Sequence, residues 1–171
     1  MKRNIVLIGL SGSGKSTIGT KLARRLRMPL LDTDAMIEDS ENRSIPDIFA
    51  QDGEEHFRDI ETAAAIEAAL QEGVVISCGG GMILREQNMA ALKATGFVVF
   101  ISRHPSRIFR STQQHDRPLV KGDREKLFRL HADRIALYRR YADYTLDNGG
   151  KLNGRPGKAA LRIIRAWKKS A

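Results

Sequence analysis

The 171-residue chain holds one cysteine, five prolines and only 6% aromatic residues. Cys78 has no partner for an internal disulfide, which removes the disulfide-stapled secreted class and points to a reducing compartment. With 42% hydrophobic and 29% charged residues, the composition excludes collagen-like and disordered chains. No apolar run approaches the ~20 residues that span a bilayer. Met1 to Leu10 joins two cations to a short apolar stretch, as a signal peptide does. Glycine-rich sequence follows it in place of a small-residue cleavage site, so it reads as a first buried strand. One soluble, cytoplasmic domain over 1–171 is expected, since ~100–200 residues make a domain.

The charge that is present is uneven. Residues 1–102 carry 11 Lys/Arg against 14 Asp/Glu, a net −3, whereas 103–171 carry 18 against 6, a net +12. Such asymmetry fits an anionic partner, either nucleic acid or polyphosphate with an acidic small molecule. A solvated basic surface on the last helices is the alternative, and Lys168 and Lys169 belong to it.

Strand-length apolar runs alternate with helical periodicity. Ile5–Ile8, Leu30–Leu31, Val74–Ser77, Phe97–Ser102 and Tyr144–Asp147 read as strands. Helices are expected at 16–26, 34–40, 45–50, 54–71, 86–93, 105–110, 124–141 and 158–169. Ser44 with Asp47 three residues on opens the third of these at capping-box spacing. Leu161, Ile164 and Trp167 are the expected buried face of the last. The alternation predicts an α/β fold, a five-stranded parallel sheet with helices on both faces. Segments 111–123 and 148–157 read as irregular.

Gly9-Leu10-Ser11-Gly12-Ser13-Gly14-Lys15-Ser16 matches G-x-x-x-x-G-K-[ST], with a buried strand before it and an amphipathic helix after it. Glycines let the backbone wrap a phosphate with its N–H groups inward, and the following helix adds its positive end. Lys15 reaches the β- and γ-phosphates, and the Ser16 hydroxyl is placed for Mg²⁺. The chain reads as a nucleoside triphosphate binder. Strands 74–77 and 97–102 end in serine and offer no acid for the metal shell, whereas Asp32-Thr33-Asp34 offers two. These are expected beside the phosphate loop, with the second strand neighbouring the first. One serves the metal and one a substrate hydroxyl, or else Asp34 simply caps a helix.

Gly79-Gly80-Gly81 after a buried strand marks either close backbone approach to a ligand or a plain loop. Arg58 is a cation in the acidic half, either ion-paired at the surface with Glu54 or Glu61 or serving as a carboxylate fork. Asp116-Arg117-Pro118-Leu119, inside the irregular segment, fits a lid that brings an arginine to the transferring group. Cys78 reads as a buried thiol without a base partner, and His56, His104, His115 and His131 share no metal-ligand spacing.

Together these residues resemble the shikimate kinases, small P-loop kinases with a nucleoside-monophosphate-kinase-like fold. The likeness runs through the phosphate loop, Leu31-Asp32-Thr33-Asp34, Ser44-Ile45-Pro46-Asp47-Ile48-Phe49, Gly53-Glu54, Phe57-Arg58, the three glycines, Arg117-Pro118-Leu119, and Arg134 with Tyr138. The resemblance implies ATP-dependent phosphorylation of the 3-hydroxyl of shikimate, on the route to chorismate and aromatic amino acids. It implies catalytic roles for Lys15, Asp34 and Arg117. Gly12, Ser13, Gly14, Lys15, Ser16, Thr17, Arg110 and Arg117 would contact ATP. Asp34, Arg58, Gly79, Gly80, Gly81, Arg134, Phe49 and Phe57 would contact shikimate, and Ser16 and Asp32 would hold Mg²⁺. Substrate-binding helices at 33–61, a lid at 111–123 and a monomer without nucleic-acid or membrane partners complete the expectation. Met82, where the family usually has a smaller residue, is expected at the pocket rim.

A gluconate-like acid or a nucleoside monophosphate remains a rival acceptor, with Arg58 and Arg134 favouring a carboxylate. A nucleic-acid-binding module is a further rival, and the shortage of stacking aromatics weighs against it.

Overall fold

The computed structural model describes residues 3–113 and 124–170. In chain order it runs β1 (Asn4–Ile8), α1 (Lys15–Leu26), β2 (Leu30–Asp32), α2 (Thr33–Glu41), α3 (Ile45–Leu70), β3 (Val75–Ser77), α4 (Glu86–Thr95), β4 (Gly96–Ser102), α5 (Pro105–Gln113), α6 (Arg124–Tyr141), β5 (Tyr144–Asp147) and α7 (Pro156–Lys169). Short 3-10 turns occupy Met82–Leu84 and Gly150–Leu152. All strand pairs are parallel, in the order β2-β3-β1-β4-β5.

The two-residue period of β1 sorts its side chains between two apolar layers. Val6 and Ile8 join residues of α3, α4 and α6 on one face, and Ile5 and Leu7 join α1 and α7 on the other. Every residue of β1 is buried, which explains its unbroken apolar run. A small third cluster of Ile37, Ile48, Phe57 and Ala64 binds α2 to α3.

Of four expectations, three are corrected and one is borne out. First, β2 does not neighbour β1. The crossover through α1 skips a position that β3 later fills, so that Ile76 of β3 stands between Leu31 and Val6. Asp32 still reaches the phosphate loop, because parallel strands all end on one edge of the sheet. Second, the two helices expected at 45–50 and 54–71 are borne out: Ile45–Leu70 is two helices meeting at a kink where Gly53 (φ 83°, ψ 177°) leaves helical geometry. The Ser44 hydroxyl caps that run by accepting the Asp47 N–H at 3.2 Å. Third, α7 buries Ala159, Ala160 and Ile163, while Leu161 is exposed and Ile164 and Trp167 are only half-buried. Small alanines let α7 lie close on α1, and the bulkier residues are left at the margin. Fourth, α5 continues to Gln113, so the segment expected to be irregular from 111 begins as helix. The rest of the expected lid, with Arg117, lies outside the described residues. Among the described residues no helix is long and apolar enough to cross a membrane.

Candidate active site

The loop leaving β1 turns with positive φ at Gly9, Gly12 and Gly14, and α1 starts directly after it at Lys15. The first turn of α1 holds no acid, and its residues line an open cavity at the positive end of the helix, a place suited to an anion. Lys15 is buried, and its ammonium donates to the carbonyls of Gly9 at 2.7 Å and Leu10 at 2.9 Å. Ser16 and Thr17 line the same open cavity.

Two strand ends brace this loop, and the local sequence gave no sign of it. Arg103, just past β4, donates from Nη1 to the Gly12 carbonyl at 3.2 Å and from Nη2 to Asn153 Oδ1 at 3.2 Å. Asn148, just past β5, donates from Nδ2 to the Ser13 carbonyl at 2.7 Å. The segment 148–157 is thus tied to the phosphate loop.

Asp32 and Asp34 both line the cavity, in different roles. Asp32 caps α2, its Oδ1 accepting from the N–H of Asp34 at 3.1 Å and of Ala35 at 3.4 Å. The reading of Asp34 as the cap is therefore corrected: Asp34 lies in the first turn, its carboxyl free of that duty. Burial, and then the charge of Asp32, push it up to about 6, with Lys15 pulling the other way. Such a carboxylate is poised to take a proton near neutrality. Between the two acids, the buried Thr33 hydroxyl accepts the Gly79 N–H at 3.0 Å and docks α2 onto the end of β3.

Each of the three glycines faces a different functional side chain. A Cβ on Gly79 would collide with Asp34, one on Gly80 would lie 3.8 Å from Arg134 Nη1, and one on Gly81 would lie 2.8 Å from Arg58 Cζ. The Gly80 carbonyl accepts from Arg134 Nη1 at 3.1 Å and from the Tyr138 hydroxyl at 2.6 Å. Close approach of a side chain accounts for Gly79 and Gly81, whereas a Cβ on Gly80 would meet only ordinary contacts, the nearest Ser11 N at 3.4 Å.

Arg58 is buried, which corrects the surface ion-pair reading. It donates to Glu61 at 2.7 Å and to Glu54 at 3.0 Å. Glu61 is 1% exposed, and burial raises its pKa against the opposing pull of Arg58 and Arg134. Phe57 lies under Arg58, with its ring centroid 5.2 Å from Cζ and 4.5 Å from that of Phe49.

Arg110 is exposed on α5. Met82 is not at the rim: its side chain is fully buried in the core, and its carbonyl accepts from Asn88 Nδ2 at 3.2 Å. Burial raises the Cys78 thiol and keeps it protonated. No group of three or more His, Cys, Asp and Glu side chains fit to hold a metal occurs among the described residues. The glycine loop with Lys15 and the raised Asp34 carboxyl line the cavity, and Arg134 and Arg58 stand at Gly80 and Gly81 beside it, a set suited to moving a phosphoryl group onto an anionic alcohol.

A family model described as shikimate kinase matches residues 11–167. A shikimate kinase of Clostridium beijerinckii is 38% identical over 148 residues, covering 86% of this chain and 87% of the relative. One from Caldanaerobacter subterraneus is 37% identical over 167 residues, covering 96% of each. Among solved structures, the shikimate kinase from Acinetobacter baumannii in complex with shikimate superposes with a TM-score of 0.89 at 32% identity, over 98% of this chain and 94% of that one.

Proposed function

The chain belongs to the shikimate kinase family, ATP-dependent phosphotransferases of shikimate on the route to chorismate and the aromatic amino acids, and we propose that the cavity at its sheet edge carries the transfer. The amides of Gly12, Ser13 and Gly14, the start of α1 with Ser16 and Thr17, and Lys15 hold the ATP phosphates. Arg110 flanks the base, and Arg117, in the lid expected at 111–123, serves the transferring phosphate. Arg58 and Arg134 receive the shikimate carboxylate, the Gly79–Gly81 backbone lies along the ring, and Phe49 and Phe57 wall it. The substrate-binding helices are those of 33–61.

The shikimate 3-hydroxyl oxygen bonds to the γ-phosphorus as the bond to the β–γ bridging oxygen breaks and ADP leaves; the hydroxyl proton passes to Asp34. Mg²⁺ fits the residues present. Capping occupies Oδ1 of Asp32 and leaves Oδ2 for the ion's shell, and the Ser16 hydroxyl completes a hard oxygen set. Held by Asp32 and Ser16, such an ion would supply neutralisation of the phosphate charge. The protein works as a cytoplasmic monomer.

The convergence of Asp34, Arg134 and Arg58 on three consecutive glycines carries this reading. ADP release from Mg·ATP is the test, with shikimate, gluconate, nucleoside monophosphates or no acceptor. Turnover with shikimate alone is expected; turnover that ignores shikimate would void the acceptor site and leave the P-loop fold standing.

A further inference from the structure

The two carboxylate partners of Arg58 differ in how firmly they are held. Glu61 is buried and cannot leave without stranding a charge in the interior. Glu54 pairs with Nη2 while 65% of its side chain is in solvent. Gly81 packs against the guanidinium plane, and the Phe57 ring lies 5.2 Å from Cζ. With the Glu61 edge closed by burial, the edge held by Glu54 is where another carboxylate gains access.

Charge balance points the same way. Arg58 and Arg134 bring two positive charges to the Gly79–Gly81 segment, and Glu61 and Glu54 match them. Asp34, at the first of these glycines, faces Asp32 as well as Lys15, and Arg85 is already paired with Glu55 and Asp59, so neither adds an unmatched cation. An acid approaching the balanced set of Arg58, Arg134, Glu54 and Glu61 gains little Coulomb energy. With Glu54 withdrawn, those four groups are left with one net positive charge for one incoming carboxylate. Gly53, whose missing side chain has open space around it, breaks α3 immediately before Glu54.

We propose that Glu54 is a displaceable stand-in for the acceptor carboxylate. It neutralises Arg58 until the acid arrives and then yields to it, setting acceptor affinity without touching the reacting atoms. This rests on the assignment of Arg58 to the acceptor carboxylate. An (i, i+4) ion pair whose carboxylate lies mostly in solvent is weak enough to yield to a carboxylate that takes the arginine fork in bidentate fashion.

The experiment measures KM for shikimate and for ATP in the full chain, in Glu54→Gln and in Arg58→Ala. Glu54→Gln is expected to lower the shikimate KM about two- to fivefold, the value of a weak (i, i+4) ion pair converted at RT, and to leave the ATP KM in place. A purely structural role for Glu54 does not produce a gain in affinity. An unchanged or raised shikimate KM in Glu54→Gln, with Arg58→Ala still impaired for shikimate, overturns the stand-in alone. A normal shikimate KM in Arg58→Ala overturns the carboxylate assignment and the stand-in with it.

Discussion

The guanidinium of Arg58 fills the space that a side chain on Gly81 would need: a Cβ there would stand 2.8 Å from Cζ and 2.9 Å from Nη2. The arginine is held on its other sides by Glu61 and Glu54, so it has little freedom to step aside. Gly81→Ala should therefore displace Arg58 at an overpacking cost of about 1–3 kcal/mol. The expected result is a shikimate KM raised about tenfold with the ATP KM little changed. Equal increases in both would mean that the change spreads through the fold.

Tyr138 is 1% exposed, stacks on Phe100 and donates to the Gly80 carbonyl at 2.6 Å. Burial pushes its hydroxyl up to about 12, so it remains a donor through the physiological range. Tyr138→Phe removes one of the two side-chain donors on that carbonyl and leaves Arg134. A loss of about 1 kcal/mol is expected, seen as a lower melting temperature and a shikimate KM up about fivefold. Wild-type KM would show that Arg134 alone positions Gly80.

Asp34 titrates at about 6 in the fold against 3.8 for an ordinary carboxyl. Between those values the folded state binds the extra proton, so this group's contribution to stability falls as pH rises through that window. Above it, ionised Asp34 is a buried charge facing Asp32. In protein freed of Mg²⁺ and nucleotide, Asp34→Asn should melt a few degrees higher than wild type at about pH 7.5, and the two should coincide at about pH 4. Calorimetry across that range checks it, and a gap that persists in acid would refute it.

Asn148 holds the Ser13 carbonyl from a different strand end than the one that feeds the loop. Asn148→Ala should loosen the phosphate loop and weaken ATP binding by about 1 kcal/mol, roughly fivefold in its KM, with the shikimate KM unchanged. Nucleotide titration followed by intrinsic fluorescence measures this directly, and an unaltered ATP affinity would leave Asn148 as loop scaffolding only.

What could be read along the chain follows from how local the signals are. The phosphate loop, its strand and its helix are contiguous, and their glycine and lysine spacing reflects constraints within eight residues. The strands were legible because a parallel sheet covered on both faces demands unbroken apolar runs, as in β1. Strand order was misread at β2, since the gap that β3 fills comes from a segment more than forty residues later. The break at Gly53 was legible as a gap between two helical patterns.

The sequence by itself determined the fold class, the nucleotide chemistry and which residue types stand at the site, because these rest on periodicity and short fixed spacings. The tertiary structure decided how the residues divide the work. Asp32 became the cap and Asp34 the raised-pKa carboxylate because burial and the start of α2 treat them differently. Arg58 became a buried, doubly paired cation because α3 lays it against Gly81. Arg103 and Asn148 joined the phosphate loop because a parallel sheet brings the ends of β4 and β5 to the edge where β1 delivers it. Hydrogen bonds between residues 91 and 135 positions apart leave no periodic trace in a chain.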